Sequence, residues 1–249
     1  SAASDVYKRQ GKGVLRHVIG RIGQSGWMII LVTATEHLPH QEKWVEKLTE
    51  RVPQVETIVH NVNGKRTNVI LGPKNSVLYG DGTITDHIKD LRFTLSPHSF
   101  FQVNPEQTTV LYDQALAYAD LKGTEIVIDA YCGTGTISLF LAHKAKHVIG
   151  IEIVEPAITN ARENAQRNGY DNTEFIVADA VVEMPKLYKA GVRPDVIVFD
   201  PIRAGCKEEV LTSAAGMEPK RIVYVSCNPA TMARDIEILT HYGYESVSY

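Results

Sequence analysis

The chain has 249 residues, 44% of them hydrophobic and 22% charged, with a formal net charge of −3. This composition is typical of a folded protein in water, long enough for one large domain or two smaller ones. The longest purely apolar run, Trp27 to Val32, is far too short to cross a bilayer. No secretion signal precedes it, so we expect a cytoplasmic protein without a membrane partner.

The cysteine count and the charge narrow the function classes further. The three cysteines, Cys132, Cys206 and Cys227, are odd in number and lack metal-ligand spacing, which argues against a disulfide framework and against a metal site. The acidic balance, with an isoelectric point near 6.3, counts against a protein that holds nucleic acid mainly by neutralising phosphates. A local basic patch or a separate binding domain would be compatible with this balance.

No catalytic or ligand-binding residues are predicted in the first ninety or so residues. Residues 1–12 have no periodic pattern and are interpreted as a leader or scar, and residues 13–95 as a small α+β domain. Its predicted strands alternate apolar and polar residues or follow turn signals, and its one helix is amphipathic. The predicted elements are strands over Leu15–Ile22, Trp27–Thr33, Val55–Asn61 and Asn68–Leu71, and a helix over Gln41–Glu50.

Residues 96–249 are predicted to form an α/β domain. A helix opens at Asn104-Pro105, with Gln107 completing a capping box, and strands then alternate with helices. Continuous apolar strands in such an alternation indicate a parallel sheet covered on both faces, whose ligands bind at the carboxyl ends of the strands. The predicted strands are Glu125–Asp129, His147–Ile153, Glu174–Ala178, Asp195–Asp200 and Arg221–Ser226, with helices from Thr136, Glu155, Val181, Lys207 and Pro229.

Two strand ends suggest an adenosine-type ligand. The turn from Asp129 to Thr136 contains Gly133 and Gly135 but lacks the third glycine of a dinucleotide fingerprint and the Gly-Lys-Ser/Thr of a P-loop. Glu152 ends the next strand about 20 residues later, a spacing at which an acid can accept hydrogen bonds from both ribose hydroxyls. A solvated carboxylate at a helix start is the alternative interpretation of Glu152.

Acids also end the third and fourth strands. Asp179 lies where a carboxylate can meet an adenine amino group. The fourth strand runs into Asp200-Pro201-Ile202-Arg203-Ala204-Gly205, which places a carboxylate and a guanidinium at the same edge of the sheet. An Asp-Pro pair that merely opens a helix is the simpler alternative.

The fifth strand ends in a cysteine that precedes a helix. In Ser226-Cys227-Asn228-Pro229, Asn228 suits the N-cap and Pro229 the first helical position. The Cys227 thiol therefore faces the positive end of the helix dipole, which favours the nucleophilic thiolate. The alternative is a small buried cysteine at a strand end, and Cys132 and Cys206 are interpreted in that way, as residues of a glycine turn and of a helix-start loop.

Together these motifs resemble the RNA uracil-5-methyltransferase family, S-adenosylmethionine enzymes that make 5-methyluridine. The resemblance covers residues 13–249 and rests on Ser99–Pro105, Asp129–Thr136, Asp200–Gly205 and Ser226–Thr231. Ala233-Arg234-Asp235 is more similar to the 23S rRNA branch than to the tRNA branch. The resemblance implies a Rossmann-like class I S-adenosylmethionine-dependent methyltransferase sheet, S-adenosylmethionine as cofactor, and RNA, with rRNA favoured, as the partner.

The resemblance also implies roles for individual residues. Cys227 would add to uracil C6, which makes C5 nucleophilic, with Asp200 and Arg203 as catalytic partners and no metal. The target base would be flipped out or single-stranded. The residues implied in cofactor binding are Gln102, Tyr131, Gly133, Thr136, Glu152, Asp179 and Asp200.

Two departures from the family pattern qualify this interpretation. Ile202 stands where the family usually has a second proline, and no segment matches the Met-Phe-Pro motif and catalytic Glu that supply the base for the C5 proton. Glu245–Tyr249 is predicted to be a sixth strand whose neighbouring C-terminal strand is missing. We therefore expect a nearly complete cofactor site and an incomplete active site.

Two alternatives to the rRNA enzyme stay open. One is a tRNA uracil-5-methyltransferase, and the other is a cofactor- or RNA-binding fragment without catalysis. A cytosine-5-methyltransferase shares the thiolate chemistry, but nothing in the sequence supports it, because its usual Pro-Cys pair is absent and Cys206 follows Gly205.

Overall fold

The computed structural model describes residues 13–65, 69–99 and 105–247. These residues form two compact units, one N-terminal to residue 102 and one from there onward. The sequence places the division between residues 95 and 96, and its predicted leader, residues 1–12, lies outside the described residues. None of the helices in the described ranges is long and apolar enough to span a bilayer.

The first unit contains a four-stranded sheet in the order β1-β2-β3-β4. The pairs β1–β2 and β3–β4 are antiparallel, whereas β2 and β3 are parallel because helix α1 connects them. Ile29, Leu31 and Ile58 of the sheet pack against Trp44 and Leu48 of this helix. The elements are β1 (Leu15–Ile22), β2 (Trp27–Thr33), α1 (Gln41–Arg51), β3 (Val55–Val62) and β4 (Lys74–Tyr79), followed by the hairpin of β5 (Ile84–Ile88) and β6 (Leu91–Leu95).

The predicted strand over Asn68–Leu71 is wrong for its described residues. Val69 and Ile70 are exposed, and their carbonyls accept hydrogen bonds from Asn63 Nδ2 at 2.7 and 3.0 Å. A side-chain amide thus takes the place of a neighbouring strand. The strand of this region is β4 instead, whose polar start at Lys74 gave no apolar signal in the sequence.

The second unit is built on five parallel strands in the order β11-β10-β7-β8-β9. Its elements match the predicted ones to within about two residues, which is the usual uncertainty of element boundaries. They are α2 (Pro105–Ala119), β7 (Ile126–Asp129), α3 (Thr136–Ala142), β8 (His147–Glu152), α4 (Glu155–Arg167), β9 (Thr173–Val177), α5 (Ala180–Lys189), β10 (Val196–Phe199), α6 (Glu208–Gly216), β11 (Arg221–Tyr224) and α7 (Pro229–Thr240).

The strand order determines where this sheet can bind a ligand. From β7 the chain proceeds outward through β8 and β9, then returns to the other side of β7 for β10 and β11. The carboxyl ends of β7 and β10 therefore flank a crevice at the topological switch point, where open α/β sheets hold their ligands. Large apolar side chains such as Ile128, Ile151 and Phe199 fill the core behind it.

Two features predicted at the ends of this unit differ in outcome. The predicted cap of α2, Asn104, lies outside the described residues. The predicted strand over Glu245–Tyr249 is wrong for Glu245–Val247, which lack strand structure and end with Val247 92% exposed. The preceding Tyr244 is held by its side chain, since its hydroxyl donates to the Pro219 carbonyl at 2.9 Å, rather than by a backbone ladder.

Candidate active site

A tight glycine turn joins β7 to α3 at the crevice. Gly133 and Gly135 have φ values of 53° and 81°, a region that L side chains rarely adopt. A Cβ at Gly135 would also lie 3.1 Å from the Phe175 ring, a tight contact that adds to the conformational preference for glycine there. The turn leaves Tyr131 half-buried beside the crevice and begins α3 at Thr136.

Asp129, the last residue of β7, is a buried acid beneath this turn. Ser138 Oγ donates to its Oδ2 at 2.6 Å, whereas Oδ1 is buried without a hydrogen-bond partner among the described residues. Burial, and more weakly the nearby Asp200, raises the pKa of Asp129 to about 7. Asp129 was not among the predicted site residues, although an acid that ends a wholly apolar strand is itself a signal of a site.

Glu152 and Asp179 end the neighbouring strands. Glu152 is half-buried, and its Oε1 accepts a hydrogen bond from the Val154 amide at 2.9 Å. Asp179 is the N-cap of α5, where it accepts from Val181 N at 3.0 Å and pairs with Lys207 at 3.1 Å. The Val181 amide, and then Lys207, hold the pKa of Asp179 below its usual value. Asp179 thus has a structural role, and its predicted adenine contact stays a prediction.

Asp200 and Arg203 lie in the loop that follows β10. Asp200 is largely buried, and this burial raises its pKa to about 6. The Arg203 side chain is exposed, while its carbonyl accepts from Asn228 Nδ2 at 3.1 Å and from Thr231 Oγ1 at 3.4 Å. These two bonds connect the β10 loop directly to the start of α7.

Cys227 is exposed between β11 and α7, so the buried alternative is wrong for this cysteine. Asn228 caps α7 as predicted, because its Oδ1 accepts from the Ala230 amide at 3.2 Å, and Pro229 opens the helix. Cys132 and Cys206 are buried, and burial raises the pKa of each thiol, that of Cys206 to about 12. Among the cysteines, Cys227 is therefore the one exposed to a substrate.

The carboxyl edge thus brings most of the predicted residues together. The negative charges of Asp200 and Glu152 both help to raise the pKa of Asp129, so three acids lie around the glycine turn. Such a set suits a ligand that is cationic and carries hydroxyl groups. Gln102 lies outside the described residues. Within the described ranges, no group of three or more His, Cys, Asp or Glu side chains is arranged to hold a metal.

The fold of the second unit is that of a known class of protein domain. Residues 121–242 match the family model described as a methyltransferase domain. Together with the parallel sheet, this match confirms the predicted α/β fold of S-adenosylmethionine-dependent methyltransferases.

Relatives and solved structures give a more particular likeness. The chain is 55% identical over 237 residues to an uncharacterized RNA methyltransferase of Halalkalibacterium halodurans, covering 94% of this chain and 52% of the relative. An uncharacterized RNA methyltransferase of Bacillus cereus is 53% identical, with 96% and 52% covered. The chain therefore spans about half the length of the curated relatives it matches.

Among solved structures, the chain is similar to the tRNA (uracil-54, C5)-methyltransferase of Pyrococcus abyssi, which was determined in complex with S-adenosyl-L-homocysteine. The identity is 29%, the TM-score is 0.73, and 93% of this chain and 55% of that chain are covered. A tRNA m1G37 methyltransferase of M. jannaschii is 13% identical with a TM-score of 0.54 over 95% of this chain and 68% of its own. At that identity the second likeness shows the fold alone.

Proposed function

We propose that the protein methylates uracil C5 in RNA, with 23S rRNA as the substrate and S-adenosylmethionine as the cofactor. The observation that carries the proposal is the exposed Cys227 at the start of α7, bonded through Asn228 to the loop that contains Arg203. The 29% identity to a uracil-C5 methyltransferase over 93% of the chain supports it. The preference for rRNA rests on Ala233-Arg234-Asp235 and on the family resemblance.

The acids at the crevice suit the proposed cofactor. S-Adenosylmethionine, when bound, supplies an electrophilic methyl group on a cationic sulfonium. Tyr131, Gly133 and Glu152 would hold it at the glycine turn, with Gln102, Thr136, Asp179 and Asp200 as further proposed contacts. Asp129 and Asp200 would add negative charge near the cation, and the cation would in turn favour their ionised forms.

The chain's own residues would make C5 of uracil nucleophilic. The Cys227 thiolate would add to C6, and the electron pair of the C5–C6 double bond would move to C5 and the enolate at O4. Arg203 would stabilise the enolate oxygen, and Asp200 would orient the cofactor or the general base that removes the C5 proton. C5 would take the methyl group as its bond to sulfur breaks, which leaves S-adenosylhomocysteine. A base would then take the C5 proton, the C5–C6 double bond would re-form, and the Cys227 thiolate would leave C6.

Covalent trapping tests this proposal. In RNA that contains 5-fluorouridine, C5 carries fluorine in place of the proton that a general base would remove. Elimination of the thiolate is therefore blocked after methylation, and its adduct with C6 persists. With S-adenosylmethionine present, we expect an adduct by intact-mass spectrometry, located at Cys227 by peptide mapping. A folded protein that binds S-adenosylhomocysteine but forms no adduct would contradict the proposal and favour the binding-fragment alternative.

The nature of the RNA is a separate question. The tRNA alternative is favoured by the solved neighbour, which is named a tRNA methyltransferase. We expect 5-fluorouridine-substituted fragments of 23S rRNA to form the adduct faster than a tRNA stem-loop of equal length. Faster trapping of the tRNA stem-loop would overturn the rRNA assignment while leaving the uracil chemistry in place.

A further inference from the structure

Helix α7 contains a buried acid on its apolar side. Asp235 is 0% exposed and shares this side of the helix with the buried Leu239. A buried carboxylate is costly unless charge and hydrogen bonds compensate it. Its environment should therefore show what it is for.

Three donors from three parts of the chain converge on Asp235. Its Oδ2 accepts from the Cys206 amide at 2.7 Å and from the Tyr224 hydroxyl at 2.5 Å. Its Oδ1 accepts from Arg234 Nε at 2.7 Å. The carboxylate thus joins the end of β11, the helix α7 and the loop after β10.

Arg234 adds further bonds to the same loop. Its Nη2 donates to the carbonyls of Ala204 and Cys206, each at 3.1 Å. With the bonds from Asn228 and Thr231 to the Arg203 carbonyl, helix α7 holds the loop backbone at every residue from 203 to 206 except Gly205. This loop has no helix or strand of its own between β10 and α6.

Gly205 shows how tightly the loop and the helix fit. Its φ of +78° favours glycine, and a Cβ there would lie 2.7 Å from both Arg234 Nη2 and Asp235 Oδ2. A side chain at this position would require the loop, Arg234 or the buried Asp235 to shift, so glycine allows the loop and the helix to bind this closely.

We propose that Arg234 and Asp235 are positioning residues that fix the Arg203 loop against the helix that begins directly after Cys227. The spacing between the guanidinium of Arg203 and the Cys227 thiol is then set by two side chains that bind the loop backbone. This inference rests on the proposed function only in that Arg203 and Cys227 act on the same uracil. A loop displaced by about 1 Å would be expected to slow such a reaction markedly.

The first test is hydrogen exchange, which needs no activity. In Arg234→Gln we expect the Cys206 amide to exchange at least about tenfold faster, while the amides of β10 keep their protection. The matched control is Arg193→Gln, since Arg193 is another exposed arginine that donates to two carbonyls, those of Tyr188 and Val192. Unchanged protection of Cys206 would overturn the proposal. If Arg234→Gln does not fold, Arg234→Lys takes its place in the test. Lysine keeps the positive charge but cannot donate through two separate nitrogens as the guanidinium does.

The second test asks whether the two residues act through Arg203. We expect Arg234→Gln to slow trapping of 5-fluorouridine RNA about 30-fold, with the dissociation constant of S-adenosylhomocysteine changed less than about threefold. In Arg203→Ala/Arg234→Gln the rate should be within about threefold of that of Arg203→Ala alone, because the loop then carries no guanidinium to position. Additive effects would overturn the proposal. If the wild-type chain forms no adduct, the proposed function fails, and the exchange result still decides whether α7 holds the loop.

Discussion

The two halves of the carboxyl edge are built in different ways. After β7 and β8, the site depends on backbone conformation and buried acids: two glycines with positive φ, the buried Asp129 and the strand-end Glu152. After β10 and β11, it depends on side-chain bonds from α7 to a loop without regular structure. We therefore expect changes in the first half to alter cofactor affinity and changes in the second half, apart from its proposed cofactor contact Asp200, to alter the reaction.

The largest separation is expected for Cys227→Ser. A hydroxyl is far less acidic than a thiol, so adduct formation with 5-fluorouridine RNA should fall below detection. The affinity for S-adenosylhomocysteine, measured by isothermal titration, should change by less than about threefold, because Cys227 belongs to the other half. A loss of affinity of about tenfold or more, about 1.4 kcal/mol, would place Cys227 in the cofactor site instead.

Gly205→Ala should disrupt the second half by distorting its loop. Adding a Cβ with φ at +78° and a contact at 2.7 Å is expected to lower the free energy of unfolding by about 3 kcal/mol. The matched control is Gly169→Ala, where φ is +73° but nothing lies within 4 Å, so only the conformational cost of about 1 kcal/mol applies.

Two spectroscopic signals distinguish the affected unit. Far-UV circular dichroism reports on the whole chain, whereas both tryptophans, Trp27 and Trp44, lie in the first unit. The Gly205→Ala denaturation midpoint is therefore measured by circular dichroism, and tryptophan fluorescence of the same samples shows whether the first unit unfolds together with the second. Equal losses in Gly205→Ala and Gly169→Ala would show that the close contact with α7 has no energetic weight.

Asp129, which lies in the first half of the edge, should make the free energy of unfolding depend on pH. Its pKa rises from 3.8 to about 7 on folding, so the folded state retains a proton that the unfolded state releases. This contribution is complete below pH 3.8 and is lost as the pH rises through about 7. Relative to that of wild type, the free energy of unfolding of Asp129→Asn should rise by about 3 kcal/mol between pH 5 and pH 8 in denaturant titrations.

The control for this titration is Asp171→Asn, a change at an exposed aspartate of the same unit. Its stability should stay parallel to that of wild type across the same pH range. Parallel curves for Asp129→Asn as well would mean that the carboxyl of Asp129 is ionised in the folded protein at pH 5.

The residues at the strand ends could be predicted from the sequence, whereas the bonds between α7 and the β10 loop could not. The strand ends at Asp129, Glu152, Asp200 and Cys227 follow continuous apolar runs, so their shared edge was predictable from pattern alone. Two of the three bonds to Asp235 come from residues 11 and 29 positions away, a distance that no local pattern encodes. One signal was present, because Asp235 interrupts an apolar helical stripe, and a charge there must find buried partners.

The smallest expected effect is at Glu152, where the cofactor half can be tested by itself. Glu152→Gln keeps an oxygen that can accept from Val154 but loses the charge that would bind the ribose hydroxyls. We expect S-adenosylhomocysteine to bind about tenfold more weakly, about 1.4 kcal/mol, in isothermal titration. Glu155→Gln, at the exposed start of α4, should bind as wild type does. Arg203→Ala changes the other half of the edge, so it should also leave the affinity for S-adenosylhomocysteine unchanged. A loss of affinity in Arg203→Ala equal to that in Glu152→Gln would show that the two halves form one site.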